Sequence, residues 1–263
     1  MIKTELHRYR PAFTPLAVTN GVAIGCSSHV LSHNGNEGSL HALREYAKSF
    51  TTIEFTTPLP QLPDLAFVRT VQSIRGLHSI WRVTICDLES EKLYFEKEPW
   101  FHFARALESN STRNALIVAL ERASEYDAKQ MDMLLALRES LFPLTCHFEF
   151  EHHTWSHAES LIKSAKASVV QHDAPELPGI IKEMSVPGNR AVLRLLGRNK
   201  RTWFEHHAKE RFEYQYSGQE LSSIAKRIRS LREESDSVTI IVATHPGSPA
   251  LETARSLATI INK

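Results

Sequence analysis

Charged and imidazole side chains stand at or near the ends of several short apolar runs in this sequence. Glu149 and Glu151 alternate with Phe148 and Phe150. Neighbours on a strand point to opposite faces, so if the two phenylalanines pack outward the two glutamates point inward. Arg194 stands on another such run, and Glu54, Arg82, His152, Asp173, Arg198 and His245 occupy comparable positions. A carboxylate beside a cation in a dry pocket can hold a substrate or move a proton. The same pair can equally be an ion pair that satisfies buried charge. Glu149 and Asp173 are the candidate acid–base residues, whereas Glu151 is expected on the exposed rim.

Arg194, Gly197 and Arg198 suggest a second kind of chemistry. A strand that ends in glycine and then arginine can present backbone N–H groups and a guanidinium to an anion, and arginine suits two-point phosphate contact. Glu54, Arg82, His152 and Tyr216 complete the candidate ligand-binding set. Arg190, Lys200 and Arg201 would extend a basic rim; Trp155, Trp203, Tyr214 and Tyr216 could stack on a ligand or simply pack. The fourteen histidines raise a metal reading: His152, His153, His172, Asp173 and His245 could converge near the mouth, and Glu149, His152, Asp173 and His245 would serve a metal-assisted hydrolase. No HExxH or comparable ligand spacing supports it, and no metal or cofactor is expected.

Other signatures are missing. The sequence has no Walker A loop, no GxGxxG opening a helix and no GxSxG elbow, so a nucleotide-dependent oxidoreductase or a serine hydrolase of those motif families has no support. The net charge of +1 provides no long-range field for nucleic acid or anionic membrane, which leaves a local basic pocket as the route to an anionic small molecule or a nucleic-acid backbone. Cys26, Cys86 and Cys146 form an odd set without CxxC spacing, which suggests a reducing compartment. The first residues lack the apolar core of a secretory signal, and no run reaches the ~18 apolar residues of a membrane span. The expectation is a cytoplasmic protein with no membrane partner; nothing in the sequence indicates an oligomeric state.

These residues need a scaffold that gathers them. Candidate strands are Val22–Cys26, Thr51–Thr56, Ile80–Cys86, Leu93–Glu96, Leu144–Phe150, Ser168–Gln171, Ala191–Leu196 and Val238–Thr244. Several are rich in Val and Ile, as strands buried on both faces are. Between them run helical stripes such as Leu221, Ile224, Ala225, Ile228 and Leu231. Ser156 to Glu159 and Ser217 to Glu220 match the capping box, and Ser248-Pro249 marks a further helix start. Strand, loop and helix in alternation predict an α/β, TIM-like (β/α)8 barrel formed by residues 1–263 as one domain; such a barrel typically needs about 250 residues. The gap between Cys86 and Leu93 is too short for a crossover helix, while Phe101 to Ser140 has room for two. Either the third helix is shortened or missing, or one of those two strands is misassigned. The three cysteines fall at or near the ends of the first, third and fifth strands, which would place them in neighbouring interior layers as small packing residues.

Several phrases resemble the YecE-like barrels, the family known as domain of unknown function 72. Ala23-Ile-Gly-Cys-Ser27 is similar to its opening IGCSGW strand. Tyr46 to Phe50 and Thr52 to Thr56 resemble YAxxF followed by TVExNSTFY, and LYFEKEPWF from Leu93 to Phe101 resembles LLFQFPPWF. Phe148 to Trp155 resembles VEFRHxSW, Leu193 to Arg198 resembles VRLHGR, and Tyr214 to Ser217 resembles YxYS. The resemblance implies a TIM-like barrel and carries no established general activity. The departures from the pattern are concentrated at strand ends. VExNSTFY becomes IEFTTPLP, QFPP becomes Glu96-Lys97-Glu98-Pro99, the arginine of EFRH is Glu151, the histidine of RLHGR is Leu196, and the NN of the last strand is replaced near Ala243 and Thr244. This pattern marks a divergent member whose ancestral activity is altered or lost, and it leaves open whether the chain is an enzyme, a metal-assisted hydrolase or a non-catalytic binding protein.

Overall fold

Parallel strands with apolar residues on both faces can be satisfied only between two layers, and here the sheet closes on itself inside a ring of helices. The computed structural model describes residues 21–31, 40–58, 62–85, 97–108, 114–120, 124–181, 184, 186–205, 209–244 and 248–262. The strands are β1 Val22–Ser27, β2 Thr52–Pro58, β3 His78–Ile85, β4 Asn114–Leu120, β5 Cys146–Glu149, β6 Ser168–Val169, β7 Gln171–Asp173, β8 Arg190–Leu195 and β9 Ser237–Val242. Their order is β6-β5-β4-β3-β2-β1-β9-β8-β7, and every pairing is parallel. Only Val170 separates β6 from β7, so the two ends of that order are halves of one stave and the ring closes through them. Val170 N donates to Phe148 O on one side at 2.8 Å, and Leu196 N donates to Asp173 O on the other at 2.9 Å.

The helices are α1 Leu40–Ala47, α2 Leu65–Gln72, α3 Lys97–Glu108, α4 Ala128–Ser140, α5 Glu159–Ser164, α6 Gly218–Glu234 and α7 Ser248–Ile261. Strand parity sorts the core into two clusters. Ile80, Ala115, Ile117, Ala119, Val170, Val192 and Ile241 fill the barrel interior. The larger cluster lies between strands and helices and includes Ile24, Trp81, Leu116, Phe148, Leu193 and Ile240. Ser217 caps α6 in a full capping box with Glu220, as its sequence indicates. Ser156 does not cap α5: a 3-10 turn, His153–Ala158, runs directly into that helix, and the Ser156 hydroxyl donates to His153 O.

The segment between β3 and α4 departs from expectation. The fourth stave is Asn114–Leu120, inside the stretch expected to hold two helices, and α3 is a twelve-residue crossover helix, neither shortened nor missing. The proposed strand Leu93–Glu96 lies outside the described residues. The sequence of β4 is NALIVAL and all seven residues are buried. Such a run has no alternation and contains good helix formers, so periodicity does not distinguish it from a buried helix. Side chains lock it in place: Trp81 Nε1 donates to Ser79 Oγ, Ser79 Oγ to Asn114 Oδ1, and Asn114 Nδ2 to Leu107 O, each at 2.8 Å. That chain ties β3, β4 and α3 together without leaving a buried polar group unmatched.

Candidate functional site at the barrel mouth

Glu149 is the last residue of β5 and points inward, opposite to Phe148 and Phe150, as alternation requires. It is fully buried. Arg194 on β8 reaches it across the interior, with Nη1 at 2.5 Å from Oε1. The same guanidinium grips Glu54 of β2 with two prongs, Nε to Oε2 at 2.7 Å and Nη2 to Oε1 at 2.9 Å. Arg82 of β3 donates Nε to Glu149 Oε2 and Nη1 to Thr84 Oγ1, the latter at 2.7 Å. His172 of β7 places Nε2 at 2.7 Å from Glu149 Oε1. Two glutamates and two arginines therefore form one buried, charge-balanced chain, with an imidazole at the side.

The electrostatics follow from this packing. Burial alone would favour neutral Glu149, but Arg194 and then Arg82 and His172 outweigh it and hold the carboxyl well below its usual range. Burial likewise opposes the charge on Arg194, and Glu149 and Glu54 overcome it, raising its pKa. An ionised carboxylate only accepts hydrogen bonds, so His172 donates to it from Nε2. Glu149 thus accepts from three donors, Arg194, Arg82 and His172.

A second group lies on β7, β8 and the turn after β8. Arg198 clamps Asp173, with Nε to Oδ1 at 2.8 Å and Nη2 to Oδ2 at 2.6 Å, and its Nη1 is 3.4 Å from Glu220. Tyr216 donates to Asp173 Oδ1 at 2.9 Å and accepts from Gly197 N at 3.0 Å. Burial, reinforced by Asp173, keeps the Tyr216 phenol protonated well beyond the usual range. Gly197 has φ +83°, and a Cβ there would lie 2.6 Å from Tyr214 Cβ, so the glycine is needed for this turn as much as for any ligand.

This family of barrels was expected from phrases of sequence, and direct comparison agrees. The model of the family "Protein of unknown function DUF72" matches residues 81–263. The chain belongs to the DUF72 family. A DUF72 family protein from Thermotoga maritima MSB8, TM1631, superposes with a TM-score of 0.75 at 20% identity, covering 92% of this chain and 99% of that one. A DUF72 family protein from Enterococcus faecalis V583, EF0366, gives 0.77 at 20% identity over 92% and 96% of the two chains. An L-ribulose 3-epimerase structure is a more distant match, with a TM-score of 0.51 and 12% identity over 92% of each chain. Among curated proteins no sequence matches this DUF72 chain.

The structure brings together Glu54, Arg82, Glu149 and Arg194 in one network, and Asp173, Gly197, Arg198 and Tyr216 in the other. His152 joins neither: its Nδ1 contacts Thr154 Oγ1 at 2.8 Å. Glu151 is buried, not exposed on the rim, because Arg211 folds over it with Nη2 at 2.5 Å. Trp155 and Trp203 are buried packing residues and offer no stacking face. Arg190 lines a small cavity at the opposite, N-terminal end of the barrel, away from the anion rim it was expected to extend. Cys26 and Cys146 belong to the cluster under the helices, not to interior layers, and burial pushes both thiols up to about 12. Cys86 and His245 lie outside the described residues. Among the described residues Glu149, His152 and Asp173 do not converge, and none of their neighbours completes a metal-ligand set. Two features escaped sequence reasoning. His172 was weighed only as a metal ligand, yet its strand parity matches that of Arg194. Ser27 sits within hydrogen-bond reach of His29. Among the described residues no helix is long and apolar enough to cross a membrane.

Proposed function

We propose that this chain is a cytoplasmic, one-domain binding barrel whose strand-end mouth receives a small anionic ligand, such as a phosphate group carried by a metabolite or a nucleic-acid backbone. The observation that carries this reading is Arg82. It turns Nε to Glu149 and Nη1 to Thr84, and among the described residues nothing engages its Nη2. Arg194 is the less suitable anion holder, since Glu54 and Glu149 already take its Nε, Nη1 and Nη2. Arg198, with one third of its side chain exposed, supplies the second contact, and Asp173 keeps it aimed. Glu149 and Asp173 act as orienters of these cations. In a dry mouth such fixed donors bind an anion more strongly than they would in water.

Differential scanning of the full chain with inorganic phosphate, a nucleoside monophosphate and a short oligonucleotide tests the proposal. Stabilisation by at least one of them, lost in Arg82→Ala, is the expected result. No shift with any anion, or an undiminished shift in Arg82→Ala, would remove it. One observation favours a second reading, a non-catalytic barrel derived from an enzyme: the mouth carboxylates Glu54, Glu149, Glu151 and Asp173 are each already paired with an arginine. Phosphate binding without turnover of phosphate esters would support that reading.

A further inference from the structure

We propose that Ser27 and His29 form a nucleophile–base pair that cleaves carboxylic esters at the barrel mouth. Ser27 is the last residue of β1 and is 5% exposed. Its Oγ lies 3.1 Å from Nδ1 of His29, which follows in the 3-10 turn Ser28–Leu31. Ser27 is in register with Glu54, whose carboxylate is held inside the barrel by Arg194. Registered residues of adjacent parallel strands share a face, so Ser27 also faces the interior. Cys26 confirms the parity, since its Sγ points outward to Ala250 O at 3.8 Å. The hydroxyl therefore lies at the carboxyl end of the strands, where barrels of this kind place their chemistry. His29 is exposed, so its other ring nitrogen can exchange protons with water while Nδ1 faces the serine.

The geometry meets the requirement for an activated serine, a base within hydrogen-bond reach of the nucleophile. An electron pair of Ser27 Oγ forms a bond to the ester carbonyl carbon as the hydroxyl proton moves to His29 Nδ1. The bond from that carbon to the alcohol oxygen then breaks, and the leaving alkoxide takes the proton back from His29. Water repeats the sequence with Ser27 as leaving group, its Oγ regaining a proton from His29. The products are one acid and one alcohol, with no oxidant or further reactant. A preference for esters whose acid portion carries a second anionic group would follow from Arg82, and this part rests on the anion-binding reading above.

The test treats the full chain with an uncharged fluorophosphonate and maps the adduct by peptide mass. A single adduct on Ser27 is expected, absent in Ser27→Ala. In His29→Ala, a surface change that leaves the core intact, labelling should slow by about 100-fold. No adduct on Ser27, or a rate indifferent to His29→Ala, overturns the pair. Inorganic phosphate reports separately on the anion site. Labelling of Ser27 that phosphate does not slow retains the nucleophile and removes the preference for anionic esters.

Discussion

Arg194 Nη1 lies 2.5 Å from Glu149 Oε1 while Nε and Nη2 of the same guanidinium hold both oxygens of Glu54. One side chain thereby joins β2, β5 and β8 through the middle of the barrel. Desolvation of such ions is costly, and breaking a buried pair usually costs more than the pair contributes.

Replacing Arg194 with Met should therefore destabilise the fold by about 3–5 kcal/mol, because the buried Glu54 loses its arginine and Glu149 loses one of its two. The combined change with Glu54→Gln should recover most of that loss, because Glu149 keeps Arg82. Urea unfolding of the single and double variants checks this; a single-variant loss below ~1 kcal/mol would mean that water reaches the network freely.

Acid should unfold the protein in two overlapping steps. His147 is buried, and burial, with Arg190 nearby, lowers its pKa from 6.5 to about 3. The unfolded chain binds this proton first as pH falls, so stability is complete above 6.5 and drains between there and about 3, amounting to ~5 kcal/mol in all. Glu149 has the opposite charge type and a depressed value, so its contribution is present above 4.5 and is lost as pH falls through the folded value. His147→Gln should flatten the upper limb of a stability-versus-pH curve and leave the lower one. An unchanged slope above pH 4.5 would contradict the assignment.

Gly25→Ala should be among the most damaging small substitutions in the chain. A Cβ at that position would lie 1.9 Å from Thr52 O, backbone of the adjacent stave. The ring cannot widen at one strand without shifting its neighbours, and overpacking costs at least about 1–3 kcal/mol. Soluble yield and melting temperature report it, and a wild-type melting temperature would refute the close approach of β1 and β2.

Tyr216→Phe removes a hydroxyl that accepts from Gly197 N and donates to Asp173. The buried N–H loses its partner, at a cost of about 1–3 kcal/mol. Arg198 retains its two contacts to Asp173, so any phosphate-induced thermal shift should persist in this variant. Loss of that shift together with unchanged stability would place Tyr216 at the ligand instead.

Much of this arrangement is legible locally. The alternation of Phe148, Glu149 and Phe150 is enough to turn Glu149 inward, and Ser217 with Glu220 is enough to start α6. β4 escaped because a stave buried on both faces carries no periodic signal. Glu151 was misplaced because Arg211, sixty positions away along the chain, covers it. His172 was undervalued because its parity becomes meaningful only once β7 is seen to continue the stave begun by β6.

The sequence by itself determined the strand–helix alternation, the barrel that follows from it and the inward parity of the charged residues. These depend on contacts between near neighbours along the chain. Only the tertiary structure decided which cation meets which carboxylate. Arg194 and Glu54 are 140 positions apart, and their meeting depends on the ring closing in one register. A shift of two residues at a single stave would preserve every local pattern while pairing different charges across the mouth.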